Sequence, residues 1–275
     1  MKKKSLINTI VNAPYAIWAT IFIIVPLVIV CYYAFTDKAG HFTFDNIKQL
    51  TEYSGVFGIS LLYSAIATVI TLLLAYPFAY FLSKRSENSQ RMQMLLVMLP
   101  MWMNLLIRTY SWMNILEKNG IINNFLGLFG LDPVTMIGTP GAVILGMVYN
   151  YLPYMILPIY MVMSKMDNTL IEAARDLGCN GFNTWKRLIL PLSIPGVVSG
   201  IAMVFVPSVS TFYISQKLGG GTIMLIGDTI ERQMQVQYNY NLGAALSLVL
   251  MVLILVSMMI MSKFSDDDME GGLVA

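Results

Sequence analysis

Charge is scarce in this chain. Asp, Glu, Lys and Arg make up 12% of its 275 residues, and the formal net charge is only +2. A soluble domain carries about twice that fraction, so a soluble globular fold is not the starting expectation. The near-balance of signs also leaves no basic patch of the kind that grips nucleic acid. One histidine (His41) and two separated cysteines (Cys31 and Cys179) suit neither a metal site nor a disulfide framework. No nucleophile or metal constellation surrounds His41, which argues against a membrane-embedded enzyme. The phosphate-cradling pattern G-x-x-x-x-G-K-[ST] is also missing. No catalytic residue, no metal and no cofactor is therefore expected on this chain.

What the chain has instead is apolar length. Hydrophobic residues make up 57% of it, and 21 of the residues are the adaptable side chain methionine. A membrane helix needs about 20 apolar residues. Six stretches qualify: Tyr15–Phe35, Val56–Leu82, Met94–Leu116, Gly141–Met163, Ile194–Ile214 and Leu242–Met261. An all-α, polytopic membrane protein with six transmembrane helices is expected. None of the six contains Asp or Glu, which disfavours a stand-alone, proton-coupled secondary transporter. Lys2–Lys4 before the first run resemble the start of a signal peptide. The run is too long for that, however, and no small-residue cleavage site follows, so it reads as a retained span.

Orientation follows the bias of Lys and Arg toward cytoplasmic loops. With the N-terminus inside, eleven of them, from Lys2 to Lys263, fall on the inner side. Five (Lys38, Lys48, Lys118, Lys217 and Arg232) fall on the outer side, and Arg108 lies within a span. Both termini and the 164–193 loop are thus expected in the cytoplasm of a cell with its inner or plasma membrane. The organisation reads as residues 1–55 (tip, first span, first outer loop), 56–262 (transmembrane domain with the 164–193 loop) and 263–275 (acidic tail). Thr36–Gly55 and Glu117–Pro140 have room for short interfacial helices. Gly219-Gly220-Gly221 reads as a flexible turn, and Asp266–Glu270 as a disordered end.

The 164–193 loop carries the densest signals. Thr169 and Glu172 fit a capping box, Gly178 fits a left-handed helix end, and Asn180 fits the cap of a second helix. That second helix is expected over Gly181–Leu190, with Pro191 stopping it. Phe182, Trp185 and Ile189 make an apolar stripe on it. The stripe needs either a partner surface or the bilayer face.

Polar groups inside spans mark a candidate pathway: Trp102, Asn104, Arg108, Tyr110, Tyr149, Asn150, Ser210 and Tyr213. Asn104 and Arg108 share a helical face if their span is continuous. Burying Arg108 costs about 2.5–3.5 kcal/mol on insertion scales, so an ion pair or gate is expected there, with Glu117 or Glu231 as partner. Trp112 reads as part of an interfacial aromatic belt. Prolines at 77, 100, 153, 158 and 207 favour kinks.

The spacing Glu172-Ala173-Ala174, then Gly178, then Leu190-Pro191 resembles the EAA loop of ATP-binding-cassette (ABC) importer permeases. Leu188 stands where the family pattern has Ile. The segments 104–110 and 212–227 are similar to those of spermidine/putrescine importer permeases of the B type. The resemblance implies a type I ABC importer transmembrane fold. It also implies ATPase coupling through Glu172, Ala173, Ala174, Gly178, Trp185, Leu190 and Pro191. The implied partners are a second homologous permease subunit, two ATP-binding subunits that use the ATP, an extracytoplasmic polyamine-binding protein and membrane lipid. An ABC importer for another small solute, such as iron, sulfate or an amino-acid derivative, stays open as the alternative.

Overall fold

Helices account for nearly all the regular structure, because long apolar runs must satisfy their backbone groups internally. The computed structural model describes residues 13–271, so Lys2–Lys4 lie outside it. Of these residues, those up to Gly55 pack with Thr229–Leu253, and Val56–Asp228 form a second unit with the chain from Ile254 onward.

In the first unit, helix α1 (Ala13–Ala34) is long and apolar enough to span a membrane. A π turn at Thr20–Ile24 precedes Pro26. Proline cannot donate to the turn before it, and the wider turn absorbs that loss. Short helix α2 (Asp45–Gln49) occupies the first expected outer loop. Asn46 Nδ2 donates to the carbonyls of Ala34 and Thr36, and Asn241 Nδ2 donates to Thr36 O at 2.7 Å. Ala34, Ala244 and Ala245 form a small core beside them.

In the second unit, α3 (Ser54–Ser83) buries a row of small residues that includes Ser60, Ser64, Ala67, Thr71, Ala75 and Ala79. Small side chains let membrane helices approach closely. The third span departs from expectation. Helix α4 (Glu87–Trp102) ends and α5 (Leu105–Leu116) starts afresh, with a bend of 91° between the two arms. Met103 and Asn104 are extended, and Asn104 Oδ1 accepts from Leu106 N at 2.8 Å. A capping amide competes with helix continuation, just after Pro100 has removed a donor. A short helix, α6 (Ile121–Leu128), follows in the second expected loop.

Helix α7 (Pro140–Ser164) is the best-buried span. The loop after it holds α8 (Asn168–Asp176). The fifth span also differs from expectation, since α9 (Gly181–Ser210) runs unbroken from loop to membrane. A π turn at Trp185–Ile189 lets it pass Pro191 instead of stopping there. Helix α9 packs along α7 at Gly196 and Gly200. A Cβ on Gly196 would lie 2.9 Å from Pro158 O, and one on Gly200 would lie 2.6 Å from Met155 Sδ. This is the small-xxx-small contact of membrane helix pairs.

Helix α10 (Tyr213–Leu218) packs on α5 and α7. The glycine turn beyond it is clasped, not loose: Gly138 N donates to Leu218 O at 2.8 Å, and Thr222 Oγ1 donates to Gly138 O at 3.0 Å. Helix α11 (Ile226–Glu231) precedes the last span, α12 (Tyr240–Gly271). Its backbone stays helical past Asp266–Glu270, where a disordered end was expected.

Candidate functional site

Helix α8 begins at a cap two residues earlier than the capping-box reading. Asp167, not Thr169, is the N-cap: its Oδ1 accepts from Thr169 N at 2.9 Å. That bond holds the Asp167 carboxyl below its ordinary range. The carboxylate therefore strengthens the cap at neutral pH, and the contribution fades as pH falls through the lowered value. Glu172 is left exposed and free of capping duty.

The turn after α8 is a Schellman motif. Gly178 has φ +83°. Gly178 N donates to Arg175 O at 2.9 Å and Cys179 N to Ala174 O at 3.0 Å. Asn180 Oδ1 then accepts from Asn183 N at 2.8 Å and starts α9, as its position in the sequence predicts. Two capped helices thus meet in a rigid elbow. Ala173 is exposed and Ala174 half-buried, which keeps this surface slim.

The structure divides the expected apolar stripe. Ile189 is buried, and Trp185 sits edge-on to Tyr76 at 6.1 Å. The Tyr76 hydroxyl lies 2.9 Å from Ser193 Oγ. Trp185 thus seats the elbow on α3 and is not free with the exposed set. Leu190 is half-buried and Pro191 exposed. The apolar groups left bare are Phe182, Leu170 and Leu177, the last 86% exposed. Leu170 and Leu177 escaped the sequence reading, because a stripe drawn on one helix ignores the face made jointly by two.

A cleft of about 310 Å³ at the base of the elbow is lined by Tyr80, Lys84, Ile171, Glu172 and Arg175. Burial, and then the positive charge of Arg175, lower the ammonium pKa of Lys84 from its ordinary value. Glu172 makes no ion pair among the described residues, so its carboxylate is available to a basic group from outside.

The candidate pathway residues scatter. Trp102 is 72% exposed, and Asn104 is an exposed N-cap. Arg108 is only 6% exposed, so the two do not share a face once the helix breaks. Arg108 Nε and Nη1 are buried without a hydrogen-bond partner among the described residues, and the expected ion pair is not made within Val56–Asp228. Asn150 is buried. Its Nδ2 donates to Gly146 O at 2.8 Å, and its Oδ1 has no partner among the described residues. Tyr149 stands edge-on to Trp112 at 5.3 Å, so that tryptophan packs on a neighbouring helix. Ser210 is exposed, with its hydroxyl bonded to its own helix. Tyr110 and Tyr213 do come together, with ring centroids 6.1 Å apart.

Against this geometry, the model of the family described as binding-protein-dependent transport system inner membrane component matches residues 75–270. The chain belongs to that family. As a member of this inner-membrane family with five candidate spans among the described residues, or six counting the bent pair, it is a multi-pass membrane protein and a transport subunit. It is 39% identical over 226 residues to the spermidine/putrescine transport system permease protein PotB of Haemophilus influenzae, covering 78% of this chain and 79% of the relative. The protein of the same name from Escherichia coli K12 is 38% identical, covering 78% and 82%. Among solved structures, a bacterial ABC transporter that imports the acidic polysaccharide alginate matches with TM-score 0.74 and 20% identity, over 97% of this chain and 96% of that one. That likeness establishes the type I ABC importer permease fold. A bacterial alginate ABC transporter in complex with an alginate pentasaccharide-bound periplasmic protein matches with TM-score 0.77 and 18% identity, covering 96% and 95%.

Proposed function

We propose that this chain is the membrane-spanning half of an ATP-driven importer that passes polyamines of the spermidine/putrescine class into the cytoplasm. The observation that carries the mechanism is the elbow. It offers an exposed Glu172, without an ion pair among the described residues, beside bare Leu170, Leu177 and Phe182, on a turn stiffened by Asp167, Gly178 and Asn180. A rigid, partly apolar knob of this kind fits a groove in a separate ATPase subunit and passes on its closure. The polyamine substrate is supported by the relatives named above, which are permeases of spermidine/putrescine transport systems.

In this reading both termini and the elbow face the cytoplasm, a second homologous permease completes the pore, and two ATP-binding subunits supply the work. An extracytoplasmic binding protein delivers the substrate. Each ammonium of a polyamine is costly to place in hydrocarbon, and alternating access through a protein cavity removes that barrier. The test is spermidine uptake by vesicles holding the chain with its ATPase, permease and binding-protein partners. Glu172→Lys abolishes uptake while the protein still reaches the membrane. Uptake at the wild-type rate would remove the elbow from the mechanism, and transport of sulfate but not spermidine would replace the substrate.

A further inference from the structure

Lys217 lies one helical turn after Tyr213 on α10, so the two side chains leave the same face. Its ammonium stands 5.2 Å from the ring centroid of Tyr110 and 5.7 Å from that of Tyr213. The rings are inclined at 78° to one another and form two walls of a V. Both distances lie within the reach of cation–π attraction. No ion pair accounts for the placement, because no carboxylate pairs with Lys217 among the described residues. Tyr110 is 41% exposed, so the V opens outward from the core. The adjoining face of α10 is anchored: Ile214 and Leu218 are fully buried, and a Cβ on Gly146 would overlap both.

A lysine side chain is a primary ammonium on four methylenes, which is the same chemical unit as the aminobutyl end of a polyamine. We propose that Lys217 is a tethered stand-in for substrate. It fills an alkylammonium seat formed by Tyr110 and Tyr213, and an arriving polyamine ammonium must displace it. This deepens the polyamine reading above and rests on it. A group held by a short tether competes at an effective concentration on the order of millimolar. The seat therefore rejects stray dilute cations, and yields to a polyamine released next to it at high local concentration.

The experiment is spermidine uptake by the complete complex in proteoliposomes, with KM measured for point variants. Lys217→Met keeps the stem and removes the charge, so KM falls about fivefold. Lys217→Arg, whose guanidinium stacks better on aromatic rings, raises KM. Adding Tyr110→Leu to Lys217→Met removes the gain, because the vacated seat loses a wall. An unchanged KM in Lys217→Met overturns the proposal. So does a gain that survives Tyr110→Leu, which would mark simple charge repulsion. A second measurement separates this from the substrate question. In the assembled complex, tetramethylammonium at tens of millimolar, which does not consume an acylating reagent, speeds acylation of Lys217 as read by mass spectrometry. An unaltered Lys217 rate overturns the seat. Absence of spermidine uptake by the wild-type complex, together with faster acylation, overturns the substrate reading and leaves the seat standing.

Discussion

The elbow and the broken end of the third span both turn the chain sharply, and they hold the turn by different means. In the elbow every bond that fixes the angle is short in sequence: Asp167 to Thr169, Cys179 to Ala174, Asn180 to Asn183. At the other turn the Asn104 cap and the Met103 N to Pro100 O bond are also local, but they do not fix where the next helix packs. The position of α5 and α10 depends on distant surfaces, with Ile214 and Leu218 seated on the bare backbone at Gly146. A locally built turn survives on its own chemistry and can leave apolar side chains exposed for a partner. A turn built from remote contacts is only as good as its packing.

The largest effect should come from attacking the remote contacts. Gly146→Leu forces Ile214 and Leu218 out of place, and overpacking of this kind costs about 3 kcal/mol at its upper end. We expect a lowered thermal midpoint in detergent and loss of transport, while cross-linking of the elbow to an ATPase subunit persists. Loss of both together would show that the two turns are not independent.

Next is Arg108, buried with Nε and Nη1 unpartnered among the described residues, in the same remote-contact region. An unsatisfied buried polar group costs about 1–3 kcal/mol. Arg108→Met should therefore stabilise the isolated chain by about that amount in thermal unfolding. A fall in stability would mean that the guanidinium is satisfied within the chain after all.

Gly178→Val tests the local turn. A β-branched residue at φ +83° costs about 1–2 kcal/mol. The loss should stay inside the elbow, so hydrogen exchange quickens over 168–184 and the spans are unaffected. Exchange that quickens across the spans as well would make the turn part of the global fold. The smallest stability effect belongs to Leu177→Asp. At 86% exposure it should move unfolding by less than about 0.5 kcal/mol yet weaken co-purification with the ATPase subunit. Undiminished co-purification would take the bare apolar face out of the docking surface.

The same division explains what could be read beforehand. Gly178 and Asn180 were legible because their roles depend on neighbours within five positions. The fourth and sixth spans were legible because hydropathy alone specifies them. The cap was misassigned by two residues, since Asp167 and Thr169 both suit it and only the bonded geometry chooses between them. The break after Trp102 was hidden because Pro100 bends some helices and ends others, and the decision rests with the Asn104 cap and the packing beyond it. Gly196 and Gly200 carried a visible four-residue spacing whose meaning depends on which helix lies opposite.

By itself, then, the sequence determined that this chain lives in a membrane as helices and carries a charged, capped elbow between two of them. Hydropathy and capping act over one or a few turns, so no partner element is needed to express them. Only the tertiary structure decided that the third span breaks, that α9 runs through Pro191, that Trp185 turns inward, and that Lys217 rests between Tyr110 and Tyr213. Those outcomes depend on which surfaces meet across dozens of residues. The pairing energy that selects among them belongs to the contact and not to either segment alone.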